Sequence, residues 1–377
     1  MPDTKPSRGL QAILDRLNRG HSVPMDVINQ ASEIKLAESR SKRPPTDPWD
    51  YSRADIQQNA CDAVLSLGSY TGEDNNGKPV YAGVVKAGHE YHLMFGLPAS
   101  GKSTIADKLS QAAQARIMDS DYVKEQIPEF DGGWGAAAVH KESKRIMDLA
   151  MAGVTKTGAN IIVPRIGTPP DEMIDLLKQA RADGYKCYAH YVDLSPEKAM
   201  GRLIGRYLHT GRYIPPAIAA SKSGENGENL VYESFKQVVD SGICDGWTYW
   251  SNDVAKGQPP VLLGYGKNPD QSILNLIKGA DGDTSRIIGT TPETEDIKDS
   301  EIGHIRQEID RDTDEAKALA ASHEKELAAA GAQADTVKSK GILTARMSAL
   351  LSRVDRNDAE NHDNEHEDGH DGDTMSY

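Results

Sequence analysis

Between Tyr91 and Lys267 short apolar runs alternate with longer stretches of helical periodicity. "YHLMF", "RIMD", "NIIV" and "KCYAHYVDL" are short and almost continuously apolar, so they read as buried strands. The segments from Lys102, around Ala137 to Lys156, from Asp171 to Asp183 and from Ser195 to Leu208 read as helices. Such βαβ alternation predicts an α/β fold, a parallel sheet flanked by helices on both faces. "WTYWSND" and "PPVLLGY" add strands before Asn268.

The chain on either side has a different pattern. Leu10, Ile13, Leu14 and Leu17 fall at helical spacing before Gly20, and Val27, Ile28, Ala31 and Ile34 repeat it after Pro24. "SKRPPTDPWD" breaks the pattern before a third amphipathic helix, Arg53 to Leu67, with Ile56, Ala60, Val64 and Leu67 on one face. "GEDNNGKPVYAGVV" then predicts a turn leading into an extended segment. Beyond Asn268 comes a linker, a surface helix between Ile302 and Ala330, and a last amphipathic helix carrying Ile342, Leu343, Met347, Leu350, Leu351 and Val354. The division expected is an N-terminal helical region over 1–85, an α/β domain over 86–270, a linker and helical extension over 271–354, and an acidic disordered tail over 355–377.

Composition agrees with a solvated periphery: apolar residues make up 38% of the 377, with only three phenylalanines. Of the formal net charge of −14, the tail from Asp355 contributes −8 through nine carboxylates and one arginine. The body is therefore only mildly acidic, which argues against a broad basic face for duplex nucleic acid but leaves room for a local arginine pocket. His362, His366 and His370 repeat every four residues in the tail, a spacing read as incidental weak metal affinity in a disordered segment. Cys61, Cys187 and Cys244 are odd in number and form no CxxC pair, so neither a disulfide framework nor a zinc site is suggested. The first twenty residues lack the apolar core of a signal peptide and no window suits a membrane span, so the expectation is a cytoplasmic protein, or an effector exported without a cleaved signal.

The chemistry concentrates in "FGLPASGKST". Gly96 to Ser103 fits G-x-x-x-x-G-K-[ST], placed after one strand and before one helix, where a phosphate-binding loop belongs. Its glycines let backbone amides turn inward around phosphate oxygens, and the helix N-terminus adds its dipole. Gly96, Ala99, Ser100, Gly101, Lys102, Ser103 and Thr104 form the nucleotide-binding set. Lys102 would reach the β and γ phosphates, Ser103 would place its hydroxyl on Mg²⁺, and Thr104 would continue the helix. The next strand ends in Asp119 and Asp121, on the same carboxyl edge of the sheet. A kinase needs a carboxylate there to orient an acceptor hydroxyl and take its proton; Asp121 serves that role or, alternatively, caps the helix "YVKEQI".

"GLPASGKST", "DSDYVKEQIP", "NIIV" and "RLIGRYLHTGRYIPP" together resemble the zeta toxin family of P-loop small-molecule kinases, over roughly Tyr91 to Lys267. The resemblance implies a P-loop kinase-like fold, Lys102 and Ser103 as the ATP and Mg²⁺ contacts, and Asp121 as general base. Arginines from a lid suit a transferring phosphoryl group, and by resemblance Arg206 and Arg212 are the phosphate clamp, while Arg202 is assigned to surface pairing. His140, Lys141, Glu142, Lys144 and Arg145 lie on the helix before the third strand and read as mostly solvent-facing charges.

One departure concerns the acceptor. Family members that phosphorylate UDP-N-acetylglucosamine end the third strand in an acid, a glycine and a threonine that help hold the sugar nucleotide, whereas this chain reads "VPRIGT". Pro164 stands in the acid's place, Arg165 and Ile166 follow, and Thr168 falls two places later. The expected function is ATP-dependent phosphorylation of a hydroxyl on a nucleotide-type metabolite, as a toxin or effector. The alternatives are an NAD or polynucleotide 5′-hydroxyl kinase, since a related domain phosphorylates NAD, and a non-catalytic nucleotide-dependent interaction protein. Zeta-type toxins are held by small helical antitoxins, so the resemblance implies a helical antitoxin or chaperone as partner. It also raises the idea that the N-terminal helices inhibit in cis, against the simpler reading that they cover a sheet edge.

Overall fold

The computed structural model describes residues 8–42, 45–210, 212–224, 228–254 and 258–267, with a few helical residues between 306 and 318. Three helices come first: α1 (Arg8–Asn18), α2 (Met25–Lys42) and α3 (Ala54–Ser66). A small antiparallel pair, β1 (Gly72–Glu73) and β2 (Pro79–Val80), follows. The α/β body runs β3 (Glu90–Phe95), α4 (Lys102–Ala113), β4 (Arg116–Ile117), α5 (Ser120–Glu125), α6 (His140–Thr155), β5 (Ile161–Pro164), α7 (Pro170–Ala182) and β6 (Lys186–Asp193). It finishes with α8 (Pro196–Thr210), α9 (Pro216–Ala220), α10 (Leu230–Asp240), β7 (Gly246–Ser251) and β8 (Val261–Lys267).

The sheet order is β4-β5-β3-β6-β7-β8. β3 is central and every residue of it is buried, as a parallel strand covered on both faces requires. From β3 the chain crosses to β4 and β5 on one side, then returns to β6 on the other, so the switch point lies at the carboxyl end of β3. The sheet is not wholly parallel: β8 runs antiparallel to β7. Fewer than a dozen residues join Ser251 to Val261, too few for the crossover that parallel pairing needs.

One face packs Met94, Ile162, Val192 and Trp250 against Ile105 and Leu109 of α4. On the other, Leu93, Phe95 and Tyr191 meet the apolar sides of α7 and α10. β3, β6 and β7 also carry a buried polar chain, in which His92 Nδ1 and His190 Nε2 are 3.0 Å apart and His190 Nδ1 lies 2.7 Å from the Thr248 hydroxyl. His92 approaches the Glu90 carboxylate at 3.4 Å, and Asn160 donates to that carboxylate at 3.2 Å. A buried polar group without a partner is expensive, and here each is answered across the strands.

The N-terminal helices share this core. Leu10, Ile13, Val27, Ile28, Ala60 and Val64 are all at most 1% exposed and belong to the same apolar cluster as Leu93 and Phe95. α1 packs on α8, α2 on α9, and α3 on α5 and α6. The reading that they merely cover a sheet edge is thus corrected, although the link after α3 does reach edge strand β4, where Arg116 Nε donates to Leu67 O at 2.7 Å. Arg53, just before α3, forks to both oxygens of Glu129 at 2.6 and 2.8 Å and both of Glu142 at 2.9 Å. Glu142 is fully buried and also accepts from Gln57 at 3.0 Å, so it is not a solvent-facing charge of α6. Arg145 is engaged too, stacked 4.0 Å from the Trp49 ring.

Residues 306–308 and 310–312 are helical, as the sequence suggested for this region. Asp312 departs from a plain surface helix: it is 8% exposed and accepts from the backbone amides of Arg8 at 3.1 Å and Gly9 at 2.7 Å. It answers donors that the first turn of α1 cannot satisfy internally. The linker over 268–305, the last amphipathic helix and the acidic histidine-containing tail lie outside the described residues.

Candidate active site

The phosphate loop leaves β3 at Gly96, where a Cβ would lie 2.6 Å from Ser100 Oγ and 2.8 Å from Val192 O. Only glycine allows so close an approach. Gly101 holds φ +88° and precedes α4 without any side-chain cap, leaving the first amides of that helix to an anion. Ala99 shares the left-handed conformation at φ +63°. Ser103 and Thr104 are exposed on the first turn of α4. Ser100 is buried, and its Oγ has no hydrogen-bond partner.

Lys102 folds back over this loop, donating to Gly96 O at 2.6 Å and Leu97 O at 2.8 Å. Burial pulls its pKa down to about 8, against the opposing pull of Asp119 and Asp121. The two carboxylates therefore lie within electrostatic reach of the loop lysine.

They divide the roles left open in the sequence. Asp119 is the N-cap of α5, accepting from Asp121 N at 2.9 Å. Asp121 is not the cap: it accepts from Lys124 Nζ at 3.0 Å and from the Arg212 guanidinium. Burial pushes the Asp121 carboxyl up, but Lys124 and Arg212 outweigh it and hold the group below the usual carboxylate range. Asp119 moves the other way, raised by burial and by the charge of Asp121.

Arg206 sits on α8, where burial and the neighbouring Arg212 lower its pKa while Asp121 and Glu125 favour its charge. Arg212 lies against Gly133, where a Cβ would come within 2.9 Å of the arginine's Cα, Cβ and Cγ. Tyr213 stacks edge-on to Tyr207 with centroids 5.2 Å apart, and its hydroxyl donates to Ser32 O of α2 at 3.3 Å. The segment carrying Arg206 and Arg212 is thus braced by the N-terminal helices. For Arg202 the surface pairing expected is replaced by a bond to a backbone carbonyl, Asn252 O at 2.9 Å.

After β5 the Arg165 amide donates to Met94 O at 2.9 Å, extending the ladder, while its Nε is buried with no partner. Thr168 Oγ1, three residues on, is likewise buried and unpartnered. Two residues escaped the sequence reading. Lys124 stands in the quoted "DSDYVKEQIP" without being singled out as the partner of Asp121, and Asn252, whose Nδ2 donates to Ser100 O at 2.7 Å, was read only as part of a strand. Its place at the carboxyl end of that strand was the available signal. Among the described residues no group of three or more His, Cys, Asp or Glu is placed to hold a metal, and no helix is long and apolar enough to cross a membrane.

A glycine-bounded loop feeding an uncapped helix at the switch point, with acids and arginines gathered beside it, defines a P-loop α/β domain. Residues 89–235 match the family model described as Zeta toxin. No curated protein matches the chain. Among solved structures, one from the PezAT chromosomal toxin–antitoxin system of the human pathogen Streptococcus pneumoniae is 14% identical, covering 72% of this chain and 100% of its own, with a TM-score of 0.43. The AvrRxo1-ORF1:AvrRxo1-ORF2 complex with sulphate ions is 17% identical over 72% of this chain and 83% of that one, with a TM-score of 0.41. The AvrRxo1-ORF1:-ORF2 structure with ATP is 14% identical over 81% and 88%, with a TM-score of 0.38. These are likenesses and assign nothing to individual residues.

Proposed function

We propose that the protein is an ATP-dependent kinase that phosphorylates a hydroxyl of a small nucleotide-type metabolite, acting as a toxin or effector. The observation that carries this reading is the placement of Asp121, paired with Lys124 and Arg212 and within electrostatic reach of Lys102 on the phosphate loop. The uncapped amides of α4 and the Lys102 ammonium suit the phosphates of ATP. Mg²⁺ fits as a cation brought in with the nucleotide, with the exposed Ser103 hydroxyl as its protein ligand, and would neutralise phosphate charge.

The acceptor oxygen attacks the γ-phosphorus in line, the bond from that phosphorus to the β–γ bridging oxygen breaks, and ADP leaves. Asp121 orients the hydroxyl and receives its proton. Its low pKa keeps it ionised at neutral pH, which suits a loose transition state where orientation matters more than basicity. Lys102, Arg206 and Arg212 neutralise the charge on the transferring group.

Arg165 favours an acceptor with phosphates of its own, because a buried guanidinium nitrogen without a partner at the carboxyl edge suits an anion. UDP-N-acetylglucosamine and NAD both satisfy that chemistry. Incubating the full-length protein with ATP and a metabolite extract, beside a Lys102→Ala control, and comparing the two by mass spectrometry tests the reading. A phosphorylated metabolite that depends on Lys102 is expected and identifies the acceptor. If no such product forms, the kinase reading gives way to the nucleotide-dependent interaction protein. Association with a helical antitoxin is part of the same proposal, tested by co-purification with the product of a neighbouring small helical gene.

A further inference from the structure

Asn252 follows β7 at the carboxyl edge of the sheet, outside the segment that the family model covers. It is 9% exposed, and its Nδ2 donates to Ser100 O at 2.7 Å. The peptide joining Ser100 to Gly101 is planar and trans, so its N–H points opposite to its carbonyl. Anchoring the Ser100 carbonyl on Asn252 therefore turns the Gly101 amide away from β7. Gly101 in turn makes room for the asparagine, since a Cβ there would lie 2.1 Å from Asn252 Nδ2.

The asparagine backbone is fixed on two further sides. Its amide donates to Asp193 O at 2.9 Å, and its carbonyl accepts from Arg202 Nη2 at 2.9 Å. Arg202 lies on α8 four residues before Arg206, and the next residue, Asp253, pairs with Lys198 of the same helix at 2.5 and 2.7 Å. One buried residue, through its side chain on the loop and its backbone carbonyl on Arg202, thereby connects the phosphate loop to the helix that carries a candidate clamp arginine.

We infer that Asn252 is a positioning residue of the nucleotide site, fixing the Ser100–Gly101 peptide and tying the phosphate loop to α8. The inference rests on the reading that this loop binds ATP. Full-length Asn252→Ala and Asn252→Asp are compared with wild type by calorimetric titration with ATP and Mg²⁺, by thermal melting, and by hydrogen exchange of the peptide spanning 96–103. The alanine removes one hydrogen bond and should weaken ATP about fivefold; the aspartate turns oxygens toward a carbonyl and should weaken it about tenfold or more. Exchange should accelerate within 96–103 and stay unchanged in β6 and α7. Wild-type affinity within twofold and unchanged loop exchange in both variants would overturn the inference. So would exchange rising evenly across the sheet in step with a lowered melting temperature, which marks a merely structural residue. Should the aspartate variant not fold, the alanine variant decides. If wild type itself does not bind ATP, the ATP reading fails, and loop exchange still judges Asn252.

Discussion

The phosphate loop and the acid cluster share one edge of the sheet, yet the loop is shaped mainly by local contacts, with Asn252 as a distant anchor, whereas the cluster is assembled from separate segments. In the loop, Lys102 bonds carbonyls five and six residues away, and the left-handed Gly101 leads directly into α4. In the cluster, Asp121 is fixed by Lys124 from its own helix and by Arg212 from 91 residues on. Arg212 is packed against Gly133, and the neighbouring Tyr213 reaches Ser32 of α2. A mostly local site is exposed to few distant disturbances, here chiefly at Asn252, whereas an assembled one inherits the stability of every segment that supports it.

The two halves should therefore fail differently. Lys102→Met strikes the loop and should lower phosphoryl transfer by roughly 10²–10³-fold, with ATP affinity falling as well, measured by initial rates and titration. Asp121→Asn should cost transfer about 100-fold while ATP affinity stays near wild type; normal turnover would move the base elsewhere and dissolve the distinction.

Arg53→Ala probes the support from a distance. It leaves the buried Glu142 carboxylate with Gln57 alone and should destabilise the fold by about 3 kcal/mol in denaturant titration. Because Arg53 also holds Glu129, in the 128–133 turn that carries Gly133, transfer should fall more than ATP affinity does. Equal losses in both would show that the loop depends on the brace as much as the cluster does.

Two pH effects complete the series. Arg212 holds the Asp121 pKa down, so Arg212→Ala should move the acid limb of the pH–rate profile to higher pH besides slowing turnover. Lys102 has its pKa lowered to about 8, so the ammonium proposed to bind phosphate is present below that pH and is lost as pH rises through it. ATP affinity should weaken above pH 8 by up to about tenfold per unit, and binding there should take up a proton, seen calorimetrically as a dependence on buffer ionisation enthalpy.

Wherever neighbours in sequence are neighbours in space, the chain was legible. The central strands appeared as apolar runs because they are buried on both faces, and the phosphate loop appeared because its glycine spacing is a backbone requirement. Asp121 and Arg212 were legible as candidate types but not as a pair: nothing in their spacing says that they meet. Asn252 escaped for the same reason, lying 152 residues from the carbonyl it holds.

By itself the sequence determined the α/β alternation, the phosphate loop and the acids at the end of the second strand, because periodicity and backbone conformation are properties of adjacent residues. Only the tertiary structure decided that Asp119 rather than Asp121 caps α5, that β8 turns back antiparallel, and that Glu142 is buried beneath Arg53. It alone brought α1 to α3 into the core and against the helices carrying the candidate site. An amphipathic face encodes the need for an apolar partner but not which partner, since hydrophobic attraction has no direction, and that choice waits for the packing of the whole chain.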